Sequence, residues 1–336
     1  MPARPETTVR NERRPEPAAV RPVTKHPEQT IWLLGPQRLK PTLMEAIEQQ
    51  GLSGRIATVT AGWQERESED YELHTHLGRR SINLHLYERA ENLFQRDPEL
   101  YEGYHARQAR LRELQLYYDV RLRHMLEACK ALDQRSENGE ALENERARAM
   151  DVVRRLDWEH FERIREVHEE TDAQWTPSQH PELRRHREEV AKTVAQCDGV
   201  AIAGGHVAVL LNRLRLFDVG EAAGKMPVFA WSAGAMAIVE RIVLYHDSPP
   251  QGPGNAEVLE HGLGLARGVI ALPHAHRRML LDDALRVSRF ARRFDPAWCI
   301  AMEDGATLRI KGETWQASAG NQRLLRTGSL EDLNRG

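Results

Sequence analysis

Cysteine is scarce: the 336 residues hold only three, Cys129, Cys197 and Cys299. They lie far apart and form no CxxC pair, which argues against a disulfide framework and a cysteine-rich zinc site and fits a reducing, cytoplasmic setting. Long apolar runs are missing too. No stretch approaches the roughly 18 consecutive apolar residues that a membrane span needs, so no membrane partner is expected. Charge of one sign is absent as well: 47 basic residues against 50 acidic ones give a formal charge of -3, a poor footprint for nucleic acid. The opening Met1 to Glu28 has many Pro, Arg and Glu residues and no apolar core. Residues 1–28 therefore read as a disordered tail, neither a secretory signal nor a folded element. From about Arg79 to Asp172 glycine and proline almost vanish, which excludes a turn-rich fold there.

What is present begins at Thr30-Ile31-Trp32-Leu33-Leu34, an apolar run of strand length closed by Gly35-Pro36. Leu39 to Gln50 reads as an amphipathic helix and Gly54 to Gly62 as a second buried strand. Strand, helix and strand at this spacing make a βαβ unit and imply a parallel sheet with both faces covered. In the glycine-poor segment, apolar residues recur at helical spacing. Leu111, Leu114, Tyr118, Leu122, Met125, Cys129 and Leu132 mark one stripe; Met150, Val153, Leu156, Phe161, Ile164 and Val167 mark another. With Ser136-Glu137-Asn138-Gly139 as a turn between them, they predict two helices of about thirty residues forming an antiparallel arm on the order of 45 Å long. The arm is expected to cover the sheet or to pair with a second subunit. A role in capping a site and screening substrates is the alternative.

The α/β pattern returns with a helix over about Pro181 to Gln196. The strand Gly199 to Ala203 then ends in Gly204-Gly205-His206, where paired glycines let backbone N–H groups approach a ligand. Pro227 to Trp231 is another short apolar run. It ends on Ser232, followed at once by Ala233-Gly234 and a helix from Ala235 to about Arg241. Strand, tight turn and helix around a serine with small neighbours form a nucleophile elbow, here with Ala230 in place of the usual first glycine. Downstream, Ile242 to Asp247 reads as a strand, and Val269 to Pro273 as another with His274 at its end. Arg277 to Phe294 reads as one helix, and a hairpin about Lys311-Gly312 closes the chain. Ligand-binding groups gather at the carboxyl ends of strands in such sheets, and three ends carry Gly204-Gly205, Ser232 and His274. A serine hydroxyl needs a base within reach and a carboxylate to fix that base's tautomer, roles that His274 and Asp247 fit. His276 is the alternative base. The histidines 74, 76, 274 and 276 show no HExxH or carboxylate spacing, so neither a metal nor a cofactor is expected.

The order of these pieces resembles a known family. Ala203-Gly204-Gly205, Trp231-Ser232-Ala233-Gly234-Ala235, Gly262-Leu263-Gly264-Leu265 leading to Pro273-His274, and Met302 to Leu308 are similar to the dipeptidase E and cyanophycinase group. These are serine peptidases on the class I glutamine amidotransferase-like fold. The likeness covers residues 181–320 well and 30–62 loosely, and leaves the arm outside. It implies Ser232 as nucleophile, His274 as general base and then acid, and Asp247 as the triad acid. It also implies an oxyanion hole from the N–H groups of Gly205 and Ala233, with Gly204 beside them. His206 stands where the family has a small polar residue, and Met236 where dipeptidase E has Asn; both fall near where substrate would bind. Serine rather than cysteine at 232 argues against glutamine-dependent ammonia production.

The expected architecture is a three-layer α/β sandwich with a mainly parallel sheet, formed by residues 29–78 and 173–325 and interrupted by a helical arm over 79–172. The expected activity is that of a serine hydrolase of small peptides or related amides, with a homo-oligomer possible through the arm. Two alternatives stand beside it: a non-catalytic module that binds a small ligand or recruits a protein, and transfer of the acyl group to an amine.

Overall fold

The computed structural model describes residues 21–137, 139–246 and 254–333. In chain order the strands begin with β1 (Val23–Thr24), β2 (Thr30–Leu34), β3 (Ile56–Val59), β4 (Ser81–Asn83) and β5 (Gly199–Ile202). Next come β6 (Val228–Trp231), β7 (Arg241–Leu244), β8 (Glu257–His261), β9 (Ala266–Arg267) and β10 (Val269–Pro273). The last are β11 (Trp298–Met302), β12 (Thr307–Lys311), β13 (Thr314–Ala317), β14 (Asn321–Leu324) and β15 (Leu330–Asp332). The helices are α1 (Leu43–Gln49), α2 (Tyr71–His76), α3 (Leu86–Arg96), α4 (Pro98–Asp133), α5 (Glu140–Trp175) and α6 (Pro181–Val194). They continue as α7 (Val207–Leu216), α8 (Val219–Ala223), α9 (Ala233–Ile238), α10 (Ala275–Arg278) and α11 (Ala284–Phe294).

Among the described residues the largest sheet has seven strands in the order β13-β12-β2-β6-β5-β3-β4. Neighbours from β2 to β4 pair in parallel, and the hairpin β12–β13 closes one edge antiparallel. Every residue of β2, β3, β5 and β6 is buried, as strands covered on both faces require. Alternation along β2 divides the cover. Trp32 and Leu34 pack with Leu43 and Ile47 of α1 on one face, while Ile31 and Leu33 share a core with Leu93 of α3, Val190 of α6 and Leu210 of α7. This is the three-layer α/β arrangement that the sequence implied. A second sheet, β10-β11-β14-β15, stands beside it, with β10 and β11 parallel.

The helices α4 and α5 hold 36 residues each, longer than the pattern suggested. Asp97 fixes where α4 starts: its carboxylate accepts from Leu100 N–H at 3.0 Å, with Pro98 in the first turn. The arm lies against the body, and its inner stripe of Tyr118, Leu122, Val153 and Leu156 joins Val258, Phe290 and Cys299 in one apolar cluster. At the middle of that seam is a buried polar knot. Arg293, 4% exposed, donates to both oxygens of Asp157 at 2.7 and 2.8 Å, and Tyr118 Oη donates to Asp157 at 2.8 Å. The same hydroxyl accepts from Val258 N–H at 3.1 Å, which ties the arm to β8.

Two expectations need correction. The expected tail over 1–28 ends earlier: β1 pairs antiparallel with β9, Thr24 N–H donates to the Gly312 carbonyl at 3.0 Å, and Pro22 is buried. Backbone ladder bonds, which composition does not register, order this segment; residues 1–20 lie outside the described residues. The helix expected over Arg277 to Phe294 is broken in two. Asp283 accepts from the N–H groups of Leu285 and Arg286 at 3.0 and 3.1 Å and starts α11 afresh. No helix among the described residues is long and apolar enough to cross a membrane.

Candidate active site

Strand β6 lies in the middle of the large sheet, so the residue after it emerges at the centre of the rim. That residue is Ser232, with φ 51° and ψ −123°, a backbone region that costs a non-glycine residue about 1–3 kcal/mol. The strain holds because packing leaves the turn no alternative. A methyl group on Gly234 would collide with the carbonyl oxygen of Ile202, and one on Gly204 would sit 2.9 Å from Ser232 Cβ. The tight strand-to-helix turn at Ser232 therefore has a steric cause, with β5 and β6 meeting across glycine on both sides.

The loop after β5 is held just as closely. Gly205 has φ 113°, and a side chain there would strike the backbone of Gly62. Gly62 lies in the 3-10 turn Ala61–Arg66 that follows β3, and its carbonyl accepts from His206 N–H at 2.8 Å. Ala233 opens α9, so its N–H has no partner earlier in that helix. The N–H groups of Gly205 and Ala233 thus flank Ser232 from two strand ends. His206 is occupied otherwise: its Nδ1 accepts from Val209 N–H at 3.3 Å as the N-cap of α7.

His274 follows β10, at φ 59° and ψ 32°. Its N–H donates to the Met302 carbonyl at 3.1 Å, and the buried Tyr245 hydroxyl donates to the carbonyl of Pro273 immediately before it. Burial holds the imidazole below its ordinary pKa of 6.5, and the nearby Arg278 pushes the same way; Asp304 and Glu303 oppose them. The neutral form, the one a general base needs, is favoured. Ser232 and His274 line one cavity of ≈ 780 Å³, together with Gly204, Gly205 and Ala233. Among the described residues no hydrogen bond joins the Ser232 hydroxyl to the His274 ring.

His276, the alternative base, is turned elsewhere: its Nε2 lies 2.9 Å from Gln322 Oε1, and its N–H donates to Glu303 at 2.9 Å. Asp247 lies outside the described residues, and His246 beside it is exposed. Met236 lines the cavity, as its position in the motif suggested. No group of three or more His, Cys, Asp or Glu side chains among the described residues is arranged to hold a metal ion. Sequence reasoning missed part of the wall. Arg38, Arg277 and Arg278 line it, as do Trp63, Glu72 and His76 from the segment between β3 and β4. Arg277-Arg278 come three and four residues after His274 and were readable; the β3–β4 segment carried no local signal.

Gly204, Gly205, Ser232 and His274 thus line one cavity at the strand ends of an α/β fold. The model of peptidase family S51 matches residues 153–318, a span that starts within α5 and takes in Gly204, Gly205, Ser232, Ala233 and His274. This part of the chain belongs to peptidase family S51, the dipeptidase E family, and at the level of that family the protein is a peptidase. No curated protein matches the sequence.

Proposed function

We propose that the protein is a serine hydrolase that cleaves peptide or related amide bonds through an acyl-enzyme on Ser232. In this reading His274 takes the hydroxyl proton as Ser232 Oγ bonds to the scissile carbonyl carbon. The N–H groups of Gly205 and Ala233 donate to the oxyanion that develops. When the C–N bond breaks, His274 returns the proton to the leaving amine. A water, deprotonated by His274, then attacks the ester and frees Ser232 with a carboxylate product. Catalytic hydrogen bonds commonly tighten only with substrate in place, which accommodates a serine and histidine that share a cavity unbonded. The carboxylate that orients His274 is Asp247 by resemblance, and Asp304 and Glu303 supply negative charge near the ring.

The observation that carries this reading is the strained backbone of Ser232 at the carboxyl end of a central strand, facing the cavity that His274 also lines. A fluorophosphonate probe tests it, because only an activated hydroxyl reacts. Labelling of the parent at Ser232, lost in Ser232→Ala and in His274→Ala, is expected. A parent that takes no label would return the protein to the class of ligand-binding modules. Product formed with an added amine in place of water would instead mark acyl transfer.

A further inference from the structure

We propose that the cavity selects substrates with a carboxylate on the leaving side of the scissile bond, and that Arg277 and Arg278, supported by Arg38, read that carboxylate. The inference rests on the roles given to Ser232 and His274 above. Three arginines line the cavity, and none of the three has an ion-pair or hydrogen-bond partner for its guanidinium among the described residues. Elsewhere the chain pairs arginine freely: Arg107 with Asp172, Arg110 with Glu170, Arg121 with Glu159, Arg165 with Glu162 and Glu169. Other exposed arginines of the chain also lack partners, but these three are gathered at one cavity with Ser232 and His274, and together they give it a positive lining that an anion from outside can meet.

The fold fixes the side on which the charge acts. Arg277 and Arg278 sit in α10, the turn that starts at His274, and their N–H groups both donate to the His274 carbonyl at 3.1 Å. Arg38 follows β2, whose end is joined to the same region: Gly35 N–H donates to the Ala306 carbonyl, Ala306 N–H donates to the Glu303 carbonyl, and the Glu303 carboxylate accepts from His276 N–H. The base that protonates the leaving amine therefore lies on the arginine side. Across Ser232, the ends of β5 and β3 carry Gly204, Gly205 and Trp63, and α2 adds Glu72, the one carboxylate among the described residues lining the cavity. A carboxylate on the acyl side would approach Glu72; one on the leaving side would meet Arg277 and Arg278. Either the free terminus of a short peptide or an acidic side chain just after the scissile bond supplies that group.

The test is protection of Ser232 from a neutral fluorophosphonate by four peptides: N-acetyl-Ala-Ala with a free carboxylate, its amide, N-acetyl-Ala-Asp amide and N-acetyl-Asp-Ala amide. The first and third carry charge on the leaving side, by the two sources; the fourth carries it on the acyl side. Charge-assisted recognition predicts that at least one of the leaving-side acids protects at concentrations about tenfold or more below those of the neutral amide and the acyl-side acid. Which of the two does so identifies the source. R277Q/R278Q should bring the protecting concentrations together, whereas R277K/R278K should keep most of the difference. The quantity read is a ratio within each variant, so a partial loss of labelling does not obscure it. Equal protection by all four peptides in the parent, or a difference that survives R277Q/R278Q, overturns the proposal while labelling of Ser232 stands. Absence of labelling in the parent overturns the hydrolase reading itself.

Discussion

The rim around Ser232 and the seam beneath the arm are built on opposite plans. At the rim, shape is set by backbone against backbone, with Gly204, Gly205 and Gly234 admitting no side chain and every residue of β6 buried. At the seam, position is set by side chains, through the knot of Arg293, Asp157 and Tyr118 embedded in apolar packing. The lesson is that one region holds geometry and the other holds stability, so changes in the two should register in different measurements.

The largest effect expected is on catalysis alone. Ser232→Ala should lower turnover by at least about a thousandfold, since the nucleophile acts as a unit with its base. Its thermal midpoint should stay near that of the parent, and a variant that hydrolyses any parent substrate at full rate would remove the rim from the mechanism. Asp157→Ala should do the reverse. Leaving Arg293 buried and unpaired is expected to cost about 3–5 kcal/mol in denaturant unfolding, while the double variant D157L/R293M should recover much of it. Equal losses in single and double variants would mean the knot is not what secures the arm.

Acid should also reach the seam first. Burial lowers the pKa of His160 from 6.5 to about 4, and the ring stacks on Tyr118 at 4.0 Å. Between those two pH values the unfolded chain binds the proton more readily than the folded one, so this group's share of stability falls as pH drops through the window and levels off below it. The loss totals about 3 kcal/mol at most, and His160→Gln should flatten that part of the stability profile. At the rim, Tyr245→Phe leaves the Pro273 carbonyl without its donor. It should reduce kcat about tenfold with little change in Tm, because the displaced group is the strand end that presents His274. The smallest effect is a shift in the pH profile. Arg278 helps depress the His274 pKa, so Arg278→Gln should move the acidic limb of kcat/KM to higher pH. A limb that stays put would argue against His274 as the base.

The rim was legible because its constraints are local. Small residues about Ser232, a glycine pair after β5 and a histidine after β10 are short patterns with steric causes, and their order along the chain matched the family. The arm's stripes were legible too: Tyr118, Leu122, Cys129, Val153, Leu156 and Ile164 are buried. What the pattern could not reveal was the polar interior, since Asp157 and His160 are as buried as their apolar neighbours. Their partners explain why, for Arg293 stands 136 residues from Asp157 in the chain and no periodicity reports such a pairing. The early start of the fold at Pro22 escaped for a related reason: β1 is held by backbone bonds to β9 and Gly312, and its side chains announce nothing. Arg38 and Glu72 likewise become neighbours of Ser232 only through the crossing of strands.

The contact of Gly62 with Gly205 bears on how this enzyme could change over generations. Two main chains touch there with no room for an added carbon, so the inner ring of the cavity is frozen by sterics rather than by chemistry. Diversification of what the protein accepts must then come from the outer ring, where the side chains of Trp63, Glu72 and Met236 line the cavity. A library confined to those three positions should yield altered preference in folded proteins, whereas one that includes 62 or 205 should yield mostly inactive ones.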